Sequence, residues 1–540
     1  MPVALVDDKT PVEACRPTGP TLHVDPQQTR GRRVLQALGR PSVFLPGLTF
    51  AALLVHGYHP YVDDAAIYVA GIEKVIHPSL FPSHAEYVMP HLRHSLFSFL
   101  LGWLVRSMHV RLTYALFATY LVSLWLMVYA CWRLTCLLFA RPQARWGAML
   151  LITATLTLPV AGSAIFFIDP YLTARSFSTP ATLFAIAYTL ERRPLAAVLC
   201  LTAAFVLHPL MAAYAIGYIL ALVLLRRQSW GWLATLAVSV MVAGVAASHA
   251  GTLLGNSAAY RAAAMSRLYF FLDHWAWFEV FGLFPPLAAA LIYWARRDFS
   301  LQSNFSRISA ATLYVGTLAL GFAVLFARTD NSFLLARLQP LRAFQLIYIL
   351  FFLLLGSVLG EHVLRRRWWA WTLCFAAIAG IMLTAQIYTY PSLPHVEWPG
   401  TQSPNPWERA FLWIRDNTPR DALFALDPHY QQEPHEDTVG FRAMAQRSVL
   451  ADWSKDGGVA AIYPAVAQEW RDQVRATQAF STWNDEQRIA ALTPFGVSWI
   501  VLAGNVSTNF DCPYENSTVR ICRLPSNLAV LHSAAAGLQR

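Results

Sequence analysis

Residues 343–360 read AFQLIYILFFLLLGSVLG, an uncharged run close to the roughly 20 apolar residues needed to cross a hydrocarbon core. Similar runs occur at 231–250, 309–327 and 369–389. Of the 540 residues, 56% are hydrophobic and only 13% are charged, whereas a soluble domain usually has about 25% charged residues. The sequence therefore predicts a mainly α protein, a polytopic bundle of transmembrane helices.

Clusters of arginine orient the loops between these runs, because basic loops face the cytoplasm. One path through the membrane places all six clusters inside, with the N-terminus inside and the C-terminus outside. The clusters are Arg30–Arg40, Arg141/Arg145, Arg192/Arg193, Arg226/Arg227, Arg296/Arg297 and Arg365–Arg367. The path has about eleven spans, near 43–57, 112–139, 146–168, 171–190, 195–207, 209–225, 231–250, 276–294, 309–327, 338–360 and 369–389. We predict an interfacial helix at 92–109, since a span there would move later clusters to the other side.

Changes in composition divide the chain into four parts. Residues 1–42 are polar and proline-rich and are predicted to be a disordered cytoplasmic tail. The transmembrane domain covers 43–390, with its first outer loop at 58–111. A proline-rich linker at 391–406 leads to a domain at 407–540, where predicted strands at 422–426 and 497–503 alternate with helices. This alternation predicts a small α/β domain outside the cytoplasm.

Cys512 and Cys522 flank a polar turn, a spacing that fits a disulfide across a hairpin. Such a bond persists only in an oxidising compartment. The cysteines and the arginine clusters thus place the C-terminal domain on the same, outer side. We expect a multi-pass protein of the inner (plasma) membrane, in contact with the lipid bilayer.

An acidic pair, Asp63 and Asp64, lies in the first outer loop and opens an amphipathic stretch. Carboxylates at the boundary of water and lipid can take a proton from an acceptor hydroxyl or bind a divalent cation such as Mg²⁺ or Mn²⁺. The alternative is an acidic helix N-cap. Asp169 follows the third predicted span, either as a second functional acid or as a turn-forming Asp-Pro.

Arginines are unusually frequent in the predicted outer loops, and Arg can hold phosphate oxygens with two parallel hydrogen bonds. Arg175, Arg337 and Arg342 are the candidates for phosphate binding, with pairing to a nearby acid or a lipid headgroup as the alternative. His91 and His94 share a helical face and could bind phosphate or metal. No third ligand follows at motif spacing, so a zinc site is not expected.

The strings VDDAAIY at 62–68 and DPYLTARSFSTP at 169–180, with the predicted outer domain, resemble the GT-C superfamily of membrane glycosyltransferases. The chain is similar to bacterial oligosaccharyl-, mannosyl- and aminoarabinose-transferases. The resemblance implies an inverting enzyme with a polyprenyl-phosphate-linked sugar donor and a glycan, lipid or protein acceptor. It implies a base or metal ligand at Asp63 or Asp64, a second acid at Asp169, and a donor-phosphate contact at an outer arginine such as Arg337. Between the two adjacent aspartates we slightly prefer Asp64 as the base. The W-W-D motif of oligosaccharyltransferases is absent, which disfavours peptide asparagine acceptors.

Two other classes of function fit parts of the sequence. A transporter or lipid flippase would explain spans that are interrupted by proline, as at Pro159, Pro180 and Pro209. It should place ionisable residues near the middle of the membrane, whereas these acids lie at the outer ends of spans. A glycan-binding or scaffold protein would leave the acidic pair without a role. No motif indicates a nucleotide-driven pump, and none indicates a nucleic-acid partner.

Overall fold

The computed structural model describes residues 41–525, except 255, 330–332 and 434. All but the last two residues of the predicted cytoplasmic tail at 1–42 therefore lie outside the described residues. The α-helices before residue 390 are Pro41–His56, Asp63–Ile76, Met89–His94, Phe97–Met108, Leu112–Leu138, Pro142–Ala154, Arg175–Leu190, Pro194–Leu207, Pro209–Arg226, Trp230–Leu254, Ala258–Met265, Trp277–Gly282, Phe284–Ala295, Asn304–Phe326, Phe333–Ala336, Phe344–Val358 and Trp368–Thr389. Those that follow are Pro406–Asn417, Phe441–Ala445, Lys455–Ile462, Ala467–Thr477 and Asp485–Leu492.

Within the described residues, seven helical segments are long and apolar enough to cross a membrane, judged by length and composition. They are Leu112–Leu138, Pro209–Arg226, Trp230–Gly251, Trp277–Ala295, Asn304–Phe326, Phe333–Leu364 and Trp368–Thr389. These helices indicate a multi-pass membrane protein and confirm the mainly α prediction. The expected eleven spans are not confirmed, since Pro41–His56 and Pro194–Leu207 are shorter apolar helices.

The predicted span at 146–168 is wrong in its second half. The helix ends at Ala154, and residues 155–174 are not helical. Pro159 cannot donate a helical hydrogen bond, and a Cβ on Gly162 would lie 2.6 Å from the ring of Trp275. The ring of His56 lies 2.8 Å from the carbonyl oxygen of Thr153 and partly satisfies the freed backbone. Asp169 lies in this loop.

A five-stranded sheet forms the centre of the C-terminal region, in the order β2-β1-β3-β5-β4. The strands are β1 Leu423–Ala425, β2 Ser448–Val449, β3 Trp499–Ala503, β4 Tyr514–Glu515 and β5 Val519–Arg523. β1 pairs in parallel with β2 and β3, whereas β5 is antiparallel to β3 and β4. Successive side chains of a strand point to opposite faces of the sheet, so alternate residues of β3 pack into two different apolar cores. The small predicted sheet and the Cys512–Cys522 disulfide are thereby confirmed.

The C-terminal region packs directly on the segment that leads into the helix Asp63–Ile76. Val62 and Val439 form an antiparallel bridge, and the N–H of Gly440 donates to the carbonyl of Tyr61 at 2.9 Å. A Cβ on Gly440 would lie 2.1 Å from the Cβ of Ala66, so only glycine fits this approach. The predicted limits of the two domains remain predictions. Their contact sets the geometry of the site described next.

Candidate active site

The acidic pair lies at the start of the helix Asp63–Ile76, but neither side chain caps it. The N-cap residue is Val62, and no side-chain capping hydrogen bond is formed. Asp63 has φ 47°, in the left-handed region that L-residues rarely adopt. Both carboxylates lie in the first turn, where the helix dipole favours negative charge. The N-cap interpretation therefore does not account for their side chains, which point to other partners.

Asp63 is held by two residues far away in the chain. The ammonium group of Lys455 lies 2.8 Å from Asp63 Oδ1, and the hydroxyl of Tyr390 donates to Asp63 Oδ2 at 3.1 Å. The backbone N–H of Asp63 donates to the carbonyl of Thr438 at 3.0 Å. Helical region and C-terminal region thus both contribute to the position of this carboxylate.

Arg175 joins Asp64 to Asp169. Its Nη2 donates to Asp64 Oδ2 at 2.9 Å and to Asp169 Oδ2 at 3.0 Å. Arg175 and Asp169 are buried, and Thr173 donates a further hydrogen bond to Asp169. Burial raises the pKa of Asp64, but the charges of Lys455 and Arg175 outweigh it and hold this pKa well below the usual range. Asp64 is therefore ionised throughout the physiological range.

A cavity of about 740 Å³ opens beside the acidic pair, between ends of the helices and the C-terminal region. Its polar lining includes Asp63, Asp64, His91, His94, Arg175, His208, Arg267, Tyr269, Glu279, Gln339, Arg342, Lys455 and Tyr463. Apolar residues such as Ile165, Phe166 and Leu210 line another part of the wall. The cavity thus brings carboxylates, cations and an apolar surface together.

Arg342 lines this cavity and forms no ion pair with an acidic side chain among the described residues. It is buried, at 8% relative exposure, and its guanidinium lies 5.8 Å from the centre of the Tyr269 ring. Its Nε forms no hydrogen bond with any described residue. A buried charge without a counter-charge is costly, so an anionic ligand would stabilise this arrangement.

The two predicted histidines also line the cavity. Burial lowers the pKa of His91 to about 4, so its ring is neutral at physiological pH. His91 Nδ1 is buried without a hydrogen-bond partner in the described part of the chain. The ring of His94 lies 2.8 Å from the carbonyl oxygen of Pro90 and 3.3 Å from the hydroxyl of Tyr463. His91 can therefore bind a ligand group, whereas His94 already has protein partners.

Two predicted site residues do not line the cavity. Asp169 lies behind Arg175 and contacts the site only through that guanidinium. Arg337 donates to the carbonyl of Ile462 at 3.2 Å, while Ile462 itself belongs to the wall. Of the two arginines that flank Pro340, Arg342 rather than Arg337 faces the cavity.

The three aspartates do not form a metal site in their present arrangement. Each of Asp63, Asp64 and Asp169 has an oxygen bound by Lys455 or Arg175. Within the described ranges, the only three acidic, histidine or cysteine ligand atoms that come within 4.8 Å of one another belong to His84, Glu86 and Glu469. The expected Mg²⁺ or Mn²⁺ therefore lacks a converging set of free ligand oxygens beside the acidic pair.

Sequence reasoning missed Lys455, Tyr390 and Arg267 as members of this site. Arg267 lines the cavity and donates to the carbonyl of Trp453 at 2.8 Å. Lys455 had one available signal, since it is one of only three lysines in the chain. Its distance of 392 positions from Asp63 gave no local pattern to connect them.

Comparisons with known proteins leave the function open. A model of a domain of unknown function, DUF6798, matches residues 405–477, in the C-terminal region. No curated protein matches the chain. Among solved structures, the chain is similar to the archaeal oligosaccharyltransferase AglB from Archaeoglobus fulgidus, in complex with an inhibitory peptide and a dolichol-phosphate. The TM-score is 0.46 at 12% identity, with 85% of this chain and 69% of that chain covered. A score this low carries no functional argument.

Proposed function

We propose that this chain is a membrane glycosyltransferase of GT-C type that moves a sugar from a polyprenyl-phosphate carrier to an acceptor hydroxyl. The observation that carries the proposal is one cavity lined by the acidic pair and by the unpaired cation of Arg342. Transfer needs a proton acceptor for the hydroxyl and a fixed positive charge for the phosphate that leaves. The resemblance of 62–68 and 169–180 to this superfamily supports the same reaction.

In the proposed reaction, the acceptor oxygen attacks the anomeric carbon and forms the new glycosidic bond. The bond from that carbon to the phosphate oxygen breaks, and the polyprenyl phosphate leaves with the electron pair. Arg342 stabilises the charge on the phosphate, and the neutral ring of His91 can share a hydrogen bond with it. The apolar part of the wall suits the first carbons of the carrier.

The proton of the acceptor hydroxyl passes to a carboxylate of the acidic pair. Asp64, whose pKa is held low by Lys455 and Arg175, is a weak proton acceptor. We assign the base to Asp63, which reverses the slight preference for Asp64 drawn from the sequence, because Arg175 binds Asp64 and joins it to Asp169. Asp64 and Asp169 hold Arg175 in place behind it.

We also propose the finer topology, with about eleven crossings, a cytoplasmic N-terminus and an extracytoplasmic C-terminal domain. In this topology, short helices such as Pro194–Leu207 cross the membrane together with neighbouring irregular segments and bring the number of crossings to about eleven. A reporter that is active only outside the cytoplasm, fused after Arg540, tests the orientation. Activity of a cytoplasmic reporter at that position would reject it.

The test of function is consumption of radiolabelled polyprenyl-phosphate sugars by the purified full-length protein. Asp63→Asn should lower turnover by about 10²–10⁴-fold, the usual effect of removing a general base. Asp472→Asn, at an exposed position on the helix Ala467–Thr477, is the matched control and should leave turnover unchanged. Full turnover in both Asp63→Asn and Asp64→Asn would end the proposal. Movement of labelled lipid across vesicles without sugar transfer would instead identify a flippase.

A further inference from the structure

We propose that the ammonium group of Lys455 takes the place of a divalent cation beside Asp63 and Asp64, so that the acidic site binds no metal ion. The C-terminal domain would then complete the site with its own charge. The role given to the aspartates rests on the proposed function. The ion pairs themselves, and the test below, do not depend on it.

The geometry of the lysine is that of a bridging cation. Its Nζ lies 2.8 Å from Asp63 Oδ1 and 3.6 Å from Asp64 Oδ1. Arg175 takes the other oxygen of Asp64 and joins it to Asp169. Lys455 and Arg175 together bring two positive charges to the carboxylates, which is the charge that one divalent cation would bring.

The lysine is charged and enclosed. Its side chain is only 15% exposed, so the ion pair is partly withdrawn from water and is weakly screened by salt. A metal ion that bridged the Oδ1 atoms of the two aspartates would compete with this ammonium group for the same oxygens.

The loop that presents Lys455 is itself fixed. The Oδ1 atom of Asp452 accepts hydrogen bonds from the N–H groups of Lys455 and Asp456, at 2.5 and 3.1 Å. On the opposite side, residues 438–440 pair with residues 61–63 through backbone hydrogen bonds. Lys455 therefore lies beside the acidic pair because the C-terminal region packs on the helical region. Its charge is present at the site only when the two regions are in contact.

The test measures Mn²⁺ binding to the full-length protein in detergent. Electron paramagnetic resonance detects the bound ion, and thermal melting detects the stabilisation that it causes. In the parent, no Mn²⁺ should be bound at the acidic pair, so Asp63→Asn should leave the amount of bound Mn²⁺ unchanged. Lys455→Met should gain a saturable Mn²⁺ site, bound at least about 10-fold more tightly than any in the parent. Adding Asp63→Asn should abolish this site, and Lys455→Arg should behave as the parent does.

Mn²⁺ bound elsewhere is recognised separately, because Glu469→Gln removes the group of His84, Glu86 and Glu469 and leaves the acidic pair intact. A stoichiometric Mn²⁺ site in the parent that Asp63→Asn removes would overturn the proposal. The proposal would also be overturned if Lys455→Met folds but gains no Mn²⁺ site that Asp63→Asn removes. If Lys455→Met does not fold, the comparison of Mn²⁺ binding between the parent and Asp63→Asn tests the proposal by itself. Absence of sugar transfer would reject the proposed function without changing any of these results.

Discussion

Arg442 binds both carboxylate oxygens of Asp456, with its Nη1 at 2.7 and 2.8 Å from Oδ1 and Oδ2. Asp456 in turn accepts from the backbone N–H of Asp452 at 3.0 Å, within the loop that presents Lys455. A buried pair inside the C-terminal region thus supports a charge that acts in the cavity. The Arg442–Asp456 pair therefore helps to hold the loop that presents Lys455.

Asp456→Asn should destabilise the protein most above pH 7, where Asp456 of the parent is ionised and neutralises the buried charge of Arg442. Breaking a buried ion pair in this way typically costs about 3–5 kcal/mol. Arg442→Met should be less damaging at low pH, since burial already raises the pKa of Asp456 to about 7 and the unpaired acid can take up a proton.

The sign of the pH dependence follows from this raised pKa. A folded acid with a pKa above its unfolded value binds protons that the unfolded chain has released, so stability falls as pH rises between the two values. Thermal melting of Arg442→Met between pH 5.5 and 8.5 should therefore show a deficit that grows with pH. Arg415→Met, which removes the exposed pair with Asp416, is the control and should change little. A deficit that is independent of pH would contradict this account.

Arg342→Lys should weaken use of the lipid-linked donor, while Arg337→Lys should not. Lysine keeps the charge but loses the planar fork, and a hydrogen bond to a charged group contributes about 1.5–3 kcal/mol, or roughly 10- to 100-fold in affinity. Arg337 is the matched control, since it lies five positions away and contacts the carbonyl of Ile462 instead. Donor titration of turnover measures both. Equal losses in the two variants would argue for ordinary contacts with lipid headgroups.

Glu73→Gln should stabilise the protein, most strongly above pH 8. Glu73 is 4% exposed, accepts from Gln446 at 2.7 Å, and has a second oxygen without a partner among the described residues. Burial raises its pKa to about 8, so its contribution to stability falls as pH rises from the unfolded pKa through 8. Glutamine keeps the size and never carries the charge.

Thermal melting from pH 5 to 9 measures this effect. The curve of Glu73→Gln should separate upward from that of the parent as pH increases. Glu515→Gln, at a side chain that is 52% exposed, should follow the parent throughout. A lower melting temperature for Glu73→Gln at pH 8.5 would show that the ionised carboxylate is needed.

Replacing Cys512 and Cys522 by serine should lower the stability of the C-terminal region by about 2–3 kcal/mol. The bond closes a short loop, with a sequence separation of 10, and restricts the unfolded chain. Cys200→Ser, at a free cysteine, serves as the control. Mass spectrometry of unreduced peptides from the parent should contain the linked pair. Two unlinked peptides in protein taken from the native membrane would contradict an oxidising location.

The sequence by itself determined the membrane class, the positions of most helices, the small C-terminal sheet and the Cys512–Cys522 bond. These features depend on local quantities, namely apolar length, period and short spacing. The same local signals failed at 155–174, where apolar residues continue but Pro159 and the close packing of Gly162 end the helix.

Only the tertiary structure decided which charges meet. Asp64 and Arg175 are separated by 111 positions and Asp63 and Lys455 by 392, so no periodicity in the chain relates them. Arg337 and Arg342 look equivalent in the sequence, yet of the two only Arg342 lines the cavity, since Arg342 lies in the short helical turn Pro340–Ala343 and Arg337 precedes that turn. Hydropathy places Asp63 and Asp64 soon after the first apolar helix, and the packing of Gly440 on Ala66 holds the C-terminal region, with Lys455, beside them.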